Sequence, residues 1–326
     1  MKLLRRHFLS IAGTTLAGLA TSRITRADTY PARPVRVIVP YAPGGATDIV
    51  ARPILQELSR RVGQQFYLEN IPGAGGNIGT GQAAKAAHDG YTILLAYSSH
   101  VTSPSMFEKL PFDPVKDFAP ITLAVSSPAV LSVHPSMATN TVEDLVALIR
   151  ANPGKYSFAS GGTGTQPHLA GEQFRMSLGL DLVHVPHNGG GPALVSAVGG
   201  HTPIIFSTLP PAIPFIKEGK LRALAVTGRT RFQTVPEVPT MAESGYPDIE
   251  GDTWVGALAP AGTDGHIVAF LNREIVGILA VPAMKERLME LGYVAVGNTP
   301  DEFAARIKIE IATWARIIRS AGIRAQ

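Results

Sequence analysis

Short runs of Val, Ile and Leu alternate along this chain with longer stretches in which apolar residues recur every three or four positions. Continuous apolar runs bounded by turn residues are the pattern of strands buried in a parallel sheet, and the longer amphipathic stretches are their crossover helices. The pattern predicts strands over Val35–Val39, Gln65–Glu69, Thr92–Tyr97, Tyr156–Ala159, Leu182–Val185, Pro203–Phe206 and Leu221–Val226. Between them it predicts a helix from Thr47 or Asp48 to near Arg61, with Ile49, Pro53, Ile54, Leu55 and Leu58 partly on one face. Further helices are expected to end near Ala87, to span Thr141 to Ala151, to end near Leu178 and to cover Ala193–Val198. The fold class is therefore α/β.

Two segments break the alternation. Ile121–Val133 is almost continuously apolar and reads as a passage into a second domain, where the strand and helix pattern restarts. Gly251–Pro260 reads as the return. The division expected is 28–125 with 254–326 as one domain and 126–253 as the other, the two passages forming a hinge. In the last helix Phe303, Ile307, Ile311, Trp314 and Ile318 recur at helical spacing, a stripe for core packing.

The first residues change the reading of charge. Lys2, Arg5 and Arg6 precede a short apolar run, Phe8 to Ala20, and Thr25-Arg26-Ala27 offers a small-x-small cleavage site. Residues 1–27 read as an export signal cleaved after Ala27, which predicts a periplasmic protein. Arg5-Arg6-His7-Phe8-Leu9 resembles a twin-arginine signal, with general secretory export as the alternative. Of 29 basic and 25 acidic residues, the first 27 positions hold five basic and no acidic ones, leaving 24 against 25 and a net charge of −1. The excess of basic residues thus belongs to the signal and is no argument for nucleic-acid binding. The chain has no cysteine, which excludes disulfides, thiolate catalysis and Cys-based metal sites.

Most candidate chemistry fails on spacing. GNIGTGQA, from Gly76, puts Gln82 where a phosphate-binding lysine belongs, and Gly79-x-Gly81-x-x-Ala84 falls inside a helix instead of at its start. There is no GxSxG; Ser98, Ser99, His100, His168, His184 and His187 could build a Ser–His pair on paper, but nine histidines among so many serines make such a pairing cheap. His184 and His187 lack an acidic companion for a metal site. No metal or cofactor is expected. What remains is two glycine-rich helix starts, Pro43-Gly44-Gly45-Ala46-Thr47-Asp48 and Ser160-Gly161-Gly162-Thr163-Gly164-Thr165, one in each expected domain. Free N–H groups at a helix start, carrying roughly half a positive charge, suit an anion; a turn that merely needs glycine is the other reading.

Eight segments in order, PYAPGGATDIVARP, ENIPGAGGNIGTGQAAKA, FDPVKDFAPIT, ASGGTGTQPHLAGEQF, VPHNGGGPALVSAVGG, GKLRALAVTG, VPTMAESG and LAPAGT, resemble the Bug family of extracytoplasmic solute receptors. These are the substrate-binding proteins of tripartite tricarboxylate transporters, and the likeness runs over the whole mature chain. It implies a periplasmic binding protein, type II-like, with two α/β domains closing on a small carboxylate or dicarboxylate, monomeric, and delivering it to the membrane subunits of such a transporter. It also implies that the ligand is held by backbone N–H groups and waters at Gly44, Gly45, Ala46, Thr47 and Asp48 and at Ser160, Gly161, Gly162, Thr163, Gly164 and Thr165. Ser98, His100 and His168 would line the same cleft, and the Tyr41 ring would wall it. Many relatives carry an Asp where this chain has Ser207, which argues for a ligand lacking an amine. The alternatives are a receptor that signals to a sensor kinase through the same cleft, and a periplasmic hydrolase or isomerase acting on carboxylates.

Overall fold

Val35, Val37, Ile38 and Val39 are fully buried, as a strand covered on both faces requires. This strand, β1 (Val35–Val39), leads into α1 (Ala46–Val62), β2 (Phe66–Asn70), a 3-10 turn at Ala74–Gly76, α2 (Asn77–Ala84), β3 (Thr92–Tyr97) and α3 (Ser99–Met106). The computed structural model describes residues 30–187, 189–249 and 251–323, so the export signal read over 1–27 lies outside the described residues. By its contacts the chain divides after Ala32, and the sheet with its helices belongs to the unit from Arg33 onward.

β4 (Phe118–Val133) is a 16-residue strand that crosses the molecule. Beyond it come α4 (Val142–Arg150), β5 (Tyr156–Ser160), α5 (Gln166–Ser177), β6 (Leu182–Pro186), α6 (Gly190–Val198), β7 (Ile204–Thr208), α7 (Leu209–Lys217) and β8 (Arg222–Val226). The return strand β9 (Asp252–Pro260) precedes α8 (Gly265–Leu279), α9 (Pro282–Glu290), β10 (Val294–Ala295) and α10 (Pro300–Ser320). The strand order is β2-β1-β3-β9-β4-β7-β5-β6, with β8 and β10 also on β4. Parallel pairs stand at both flanks, β1 with β2 and β3, and β5 with β6 and β7. The crossing strands β4 and β9 run antiparallel to their neighbours. Residues 118–128 of β4 pair with β9, whereas 129–133 pair with β7 and β8, so one strand serves both halves.

Each half has its own core. Phe158, Phe174 and Phe206 pack with Leu131 and Leu145 in the second half. In the first, Trp254 meets Phe303 edge-on at 5.3 Å, with Ile307, Trp314 and Ile318 of α10 in the same cluster, as the stripe predicts. Each such side chain contributes about 1.5–3 kcal/mol by leaving water.

Several sequence expectations need adjustment. α1 begins at Ala46, ahead of the Thr47 or Asp48 start expected, with Gly45 as its N-cap; Asp48, in the first turn, reaches back to the Gly44 N–H at 3.0 Å. Ile49 is exposed, off the apolar face of that helix. α2 stops at Ala84, and α6 starts at Gly190 because glycines can open a helix as N-cap and first turn. The short helix α3 carries Ser, Thr and Pro in place of an apolar period and gives no sequence signal.

Candidate functional site

The carboxyl ends of β1, β2 and β3 in one half, and of β5 in the other, carry the glycine-rich turns or the helix starts that follow them. The edges of open α/β sheets at these ends are where ligands bind. After β1, Gly44 takes φ +78°, a conformation that L side chains resist. The turn is braced by Asp48, which is buried and accepts from the Gly44 N–H at 3.0 Å, Arg52 Nε at 2.9 Å and Asn70 Nδ2 at 3.2 Å. Burial opposes its ionisation most strongly, but the Arg52, Gly44 and Asn70 hydrogen bonds prevail and hold the carboxyl below its ordinary range. Asp48 is therefore occupied as a brace. Gly45 N–H turns back to Ala42 O at 3.4 Å, while the N–H groups of Ala46 and Thr47, first in α1, have no partner among the described residues.

Tyr41, ahead of this turn, is half-buried, sits edge-on to Tyr97 at 5.9 Å and hydrogen-bonds Ser99 Oγ. Burial raises its phenol far above the ordinary value, so it stays protonated. Ser99, Thr102 and Met106 share one face of α3 by their i, i+3, i+7 spacing. Thr102 Oγ1 lies 3.3 Å from both Ser99 O and Gly164 O, and Met106 packs against Gly164. Through Ser99 and Thr102, α3 thus contacts Tyr41 ahead of the first turn and Gly164 in the second, the single Thr102 hydroxyl proton being shared between Ser99 O and Gly164 O.

The second turn is held from below. Ser160 Oγ stands 2.7 Å from His184 Nε2 and 3.3 Å from both Gly162 N and Gly162 O. Thr165, the N-cap of α5, donates to Gly162 O at 2.8 Å and accepts from His168 N at 3.4 Å. His168 Nδ1 accepts the Gly164 N–H at 3.0 Å, and its ring stacks on His184 at 3.9 Å. Burial, then the neighbouring His184 and Arg175, pulls His168 down to about 3. Burial, then His187, pulls His184 down to about 4. Both rings are neutral at physiological pH. Two other N–H groups of the turn, on Gly161 and Thr163, have no partner among the described residues. The glycines' N–H groups are thus largely spent on the turns themselves, and their neighbours' remain open.

His100 does not join this set. One position round α3 from Ser99, it stacks on Phe112 at 5.9 Å, meets Phe118 edge-on at 5.2 Å and bonds Pro114 O at 3.0 Å. Burial lowers it to about 4. The expectation that His100 lines the cleft is corrected: helical rotation turns it into the core. Ser98 and Ser207, at the ends of β3 and β7, are buried with their Oγ atoms unpartnered among the described residues. Several residues that spacing did not single out share this state, two of them at the first position of a helix. Asn77 Nδ2, at the first position of α2, and both polar atoms of Gln166, at the first position of α5, are buried without partners among the described residues. The signal available in sequence was a carboxamide directly after two of the glycine-rich runs, Gly73–Gly76 and Ser160–Thr165. An open groove of about 850 Å³ lies elsewhere, lined by Thr227, Asp252, Arg306, Glu310 and Trp314, and includes none of the predicted site residues.

Among known proteins, the family model described as the tripartite tricarboxylate transporter family receptor matches residues 50–323. Protein BugT of Bordetella pertussis is 37% identical over 320 residues, 98% of each chain. A solved structure of an R. palustris protein with adipate is 32% identical, covers 91% of this chain and 100% of that one, and superposes with a TM-score of 0.82. MatC from Rhodopseudomonas palustris with bound malate is 31% identical over 89% of this chain and 100% of that one, TM-score 0.77.

Proposed function

The chain belongs to the tripartite tricarboxylate transporter receptor family, a family of solute-binding receptors, and from that premise we propose that it captures a small carboxylate or dicarboxylate lacking an amine. The observation that supports this reading is the set of contacts Tyr41–Ser99 and Thr102–Gly164, which ties the segment before the first helix start to the second glycine-rich turn, each helix start having open N–H groups among the described residues. An ionised carboxylate is acceptor-only and fits such donors without an arginine. Ser207 adds a hydroxyl and no charge, so an ammonium on the ligand finds no counter-ion there.

Residues 28–125 with 254–326 and residues 126–253 act, in this reading, as two lobes. The ligand touches both lobes only when they close, and that differential contact shifts the population toward the closed form. Bending falls at the crossings, where Thr227 Oγ1 accepts from Ala129 N at 2.9 Å and donates to Gly251 O at 2.8 Å, and Thr253 donates to Ser127 O at 3.0 Å. The closed form of a monomeric receptor then docks on the membrane subunits of a tripartite transporter. Residues 1–27 direct export to the periplasm by the twin-arginine route and are cleaved after Ala27.

The enzyme alternative has one observation in its favour, the Ser160–His184 pair. No carboxylate among the described residues pairs with His184, and Ser160 Oγ is already shared with the Gly162 backbone, so the pair reads as the floor of the turn. Titration calorimetry with succinate, citrate, aromatic carboxylates, aspartate and glutamate tests the receptor reading; tight binding of the amino acids alone refutes it. Uptake and transcription in a deletion strain separate transport from signalling to a sensor kinase.

A further inference from the structure

Gln166 opens the 12-residue helix α5 directly after the second glycine turn, and it is 1% exposed. Neither its Nε2 nor its Oε1 has a partner among the described residues. Buried polar groups are paired almost without exception in folded proteins, and one left unpaired calls for a specific reason. The face of α5 that carries it is defined by Leu169, Ala170 and Gln173 at i+3, i+4 and i+7. Leu169 packs into the core of the first half, Ala170 lies against Gly251, and Gln173 bonds the Asp248 carbonyl. That face therefore runs along the return crossing, with Leu169 in the core of the first half and Ala170 also in that of the second, and Gln166 stands at its N-terminal end, directly after the turn that carries Gly161 and Thr163.

We propose that the Gln166 carboxamide is a specificity-determining group that reads a hydroxyl on the ligand, so that the preferred ligands are hydroxy-carboxylates. The inference rests on the carboxylate-receptor reading. A primary amide offers two donors and one acceptor oxygen. A plain carboxylate at the turns has acceptors only; it satisfies Nε2 and leaves Oε1 facing another oxygen. A hydroxyl beside the carboxylate donates to Oε1 and completes the set. An ammonium also donates, but its charge would find Asp48 already engaged by Arg52 and a neutral Ser207. A site built to bond a hydroxyl rejects the analogue without it, because its own polar atom is then left buried and unpaired.

The test is titration calorimetry with matched acids, malate against succinate, 2-hydroxyglutarate against glutarate and lactate against propionate, with aspartate as the amine counterpart. The expected result is a hydroxylated member at least about tenfold tighter than its plain partner in one or more pairs. Gln166→Met, of similar length and without polar hydrogens, is expected to weaken both members and the hydroxylated one more, bringing that pair within about threefold of each other. Equal binding of both members by the wild-type protein, survival of the preference in Gln166→Met, or aspartate outranking malate each overturns the proposal. The wild-type ratio decides alone if Gln166→Met does not fold. Plain and hydroxylated acids binding equally sinks this inference only; no carboxylate binding at all sinks the receptor reading with it.

Discussion

Lowering the pH from 7.5 to 5.0 is expected to destabilise this protein through its buried imidazoles before its carboxylates respond. His100 is 4% exposed and lowered by burial to about 4, and His168 is 3% exposed and lowered by burial to about 3. In the unfolded chain each titrates near 6.5. The folded pKa lies below the unfolded one, so between these values the unfolded state binds more protons and stability falls as pH falls. Above about 6.5 both states are neutral and the two rings cost nothing. At pH 5.0 an unfolded imidazole is almost fully protonated while the folded one is not, a loss of about 2 kcal/mol per ring. With an unfolding entropy of about 2.1 cal/mol/K per residue, 2 kcal/mol corresponds to about 3 °C in Tm for a chain of this length, and the pair to about 6 °C. Differential scanning calorimetry at stepped pH measures the slope, and His100→Gln isolates one ring. That variant keeps a donor for Pro114 O but cannot titrate; it is expected to start lower at pH 7.5 and to lose about 3 °C less on the way to pH 5.0. An unchanged slope in His100→Gln means that His100 is not held neutral in the core, and the reasoning fails.

Gly164→Ala places a Cβ 2.8 Å from Met106 Cε at φ +80°, and a loss of about 1–2 kcal/mol is expected from the backbone conformation alone. Adding Met106→Ala relieves the clash but not the conformational cost, so denaturant unfolding of the double variant should recover only in part. Asp48→Ala leaves the Gly44 N–H and the Asn70 amide without their acceptor and is expected to cost about 1–3 kcal/mol, with at least about fivefold weaker carboxylate binding by calorimetry. Arg52→Ala leaves the buried Asp48 carboxylate with only the Gly44 N–H and the Asn70 amide, and is expected to cost about 1–3 kcal/mol. Ser207→Asp supplies the charge that many relatives carry; competition titration should show plain carboxylates weakened and amino acids gained, and no change would remove Ser207 from the ligand's surroundings. Arg5 and Arg6 changed together to Lys should abolish export if the twin-arginine route is used, read by fractionation and by the mass of the mature chain.

Sequence alone determined what depends on neighbours along the chain. The buried strands were legible because a strand covered on both faces must be apolar throughout, as in Val35–Val39. The α10 stripe was legible because the helical period repeats within the segment itself. The two glycine turns were legible because few other residues tolerate such backbones, and eight ordered segments were specific enough to name the family. Only the tertiary structure decided how each side chain is used. Asp48 was expected to face the ligand; its bonds to Gly44 and Arg52 lie within one helical turn, but its burial and its bond to Asn70 come only with the fold. His100 and Ser99 are adjacent in sequence, yet the rotation of α3 sends one ring between Phe112 and Phe118 and the other side chain to Tyr41. Gln166 stands out only when burial is known, because whether a polar group is unpaired depends on every element packed around it. Local pattern records backbone preference and hydrophobic period; pairing and burial arise from residues far apart in the chain, such as Thr102 and Gly164, and no window along the sequence contains both.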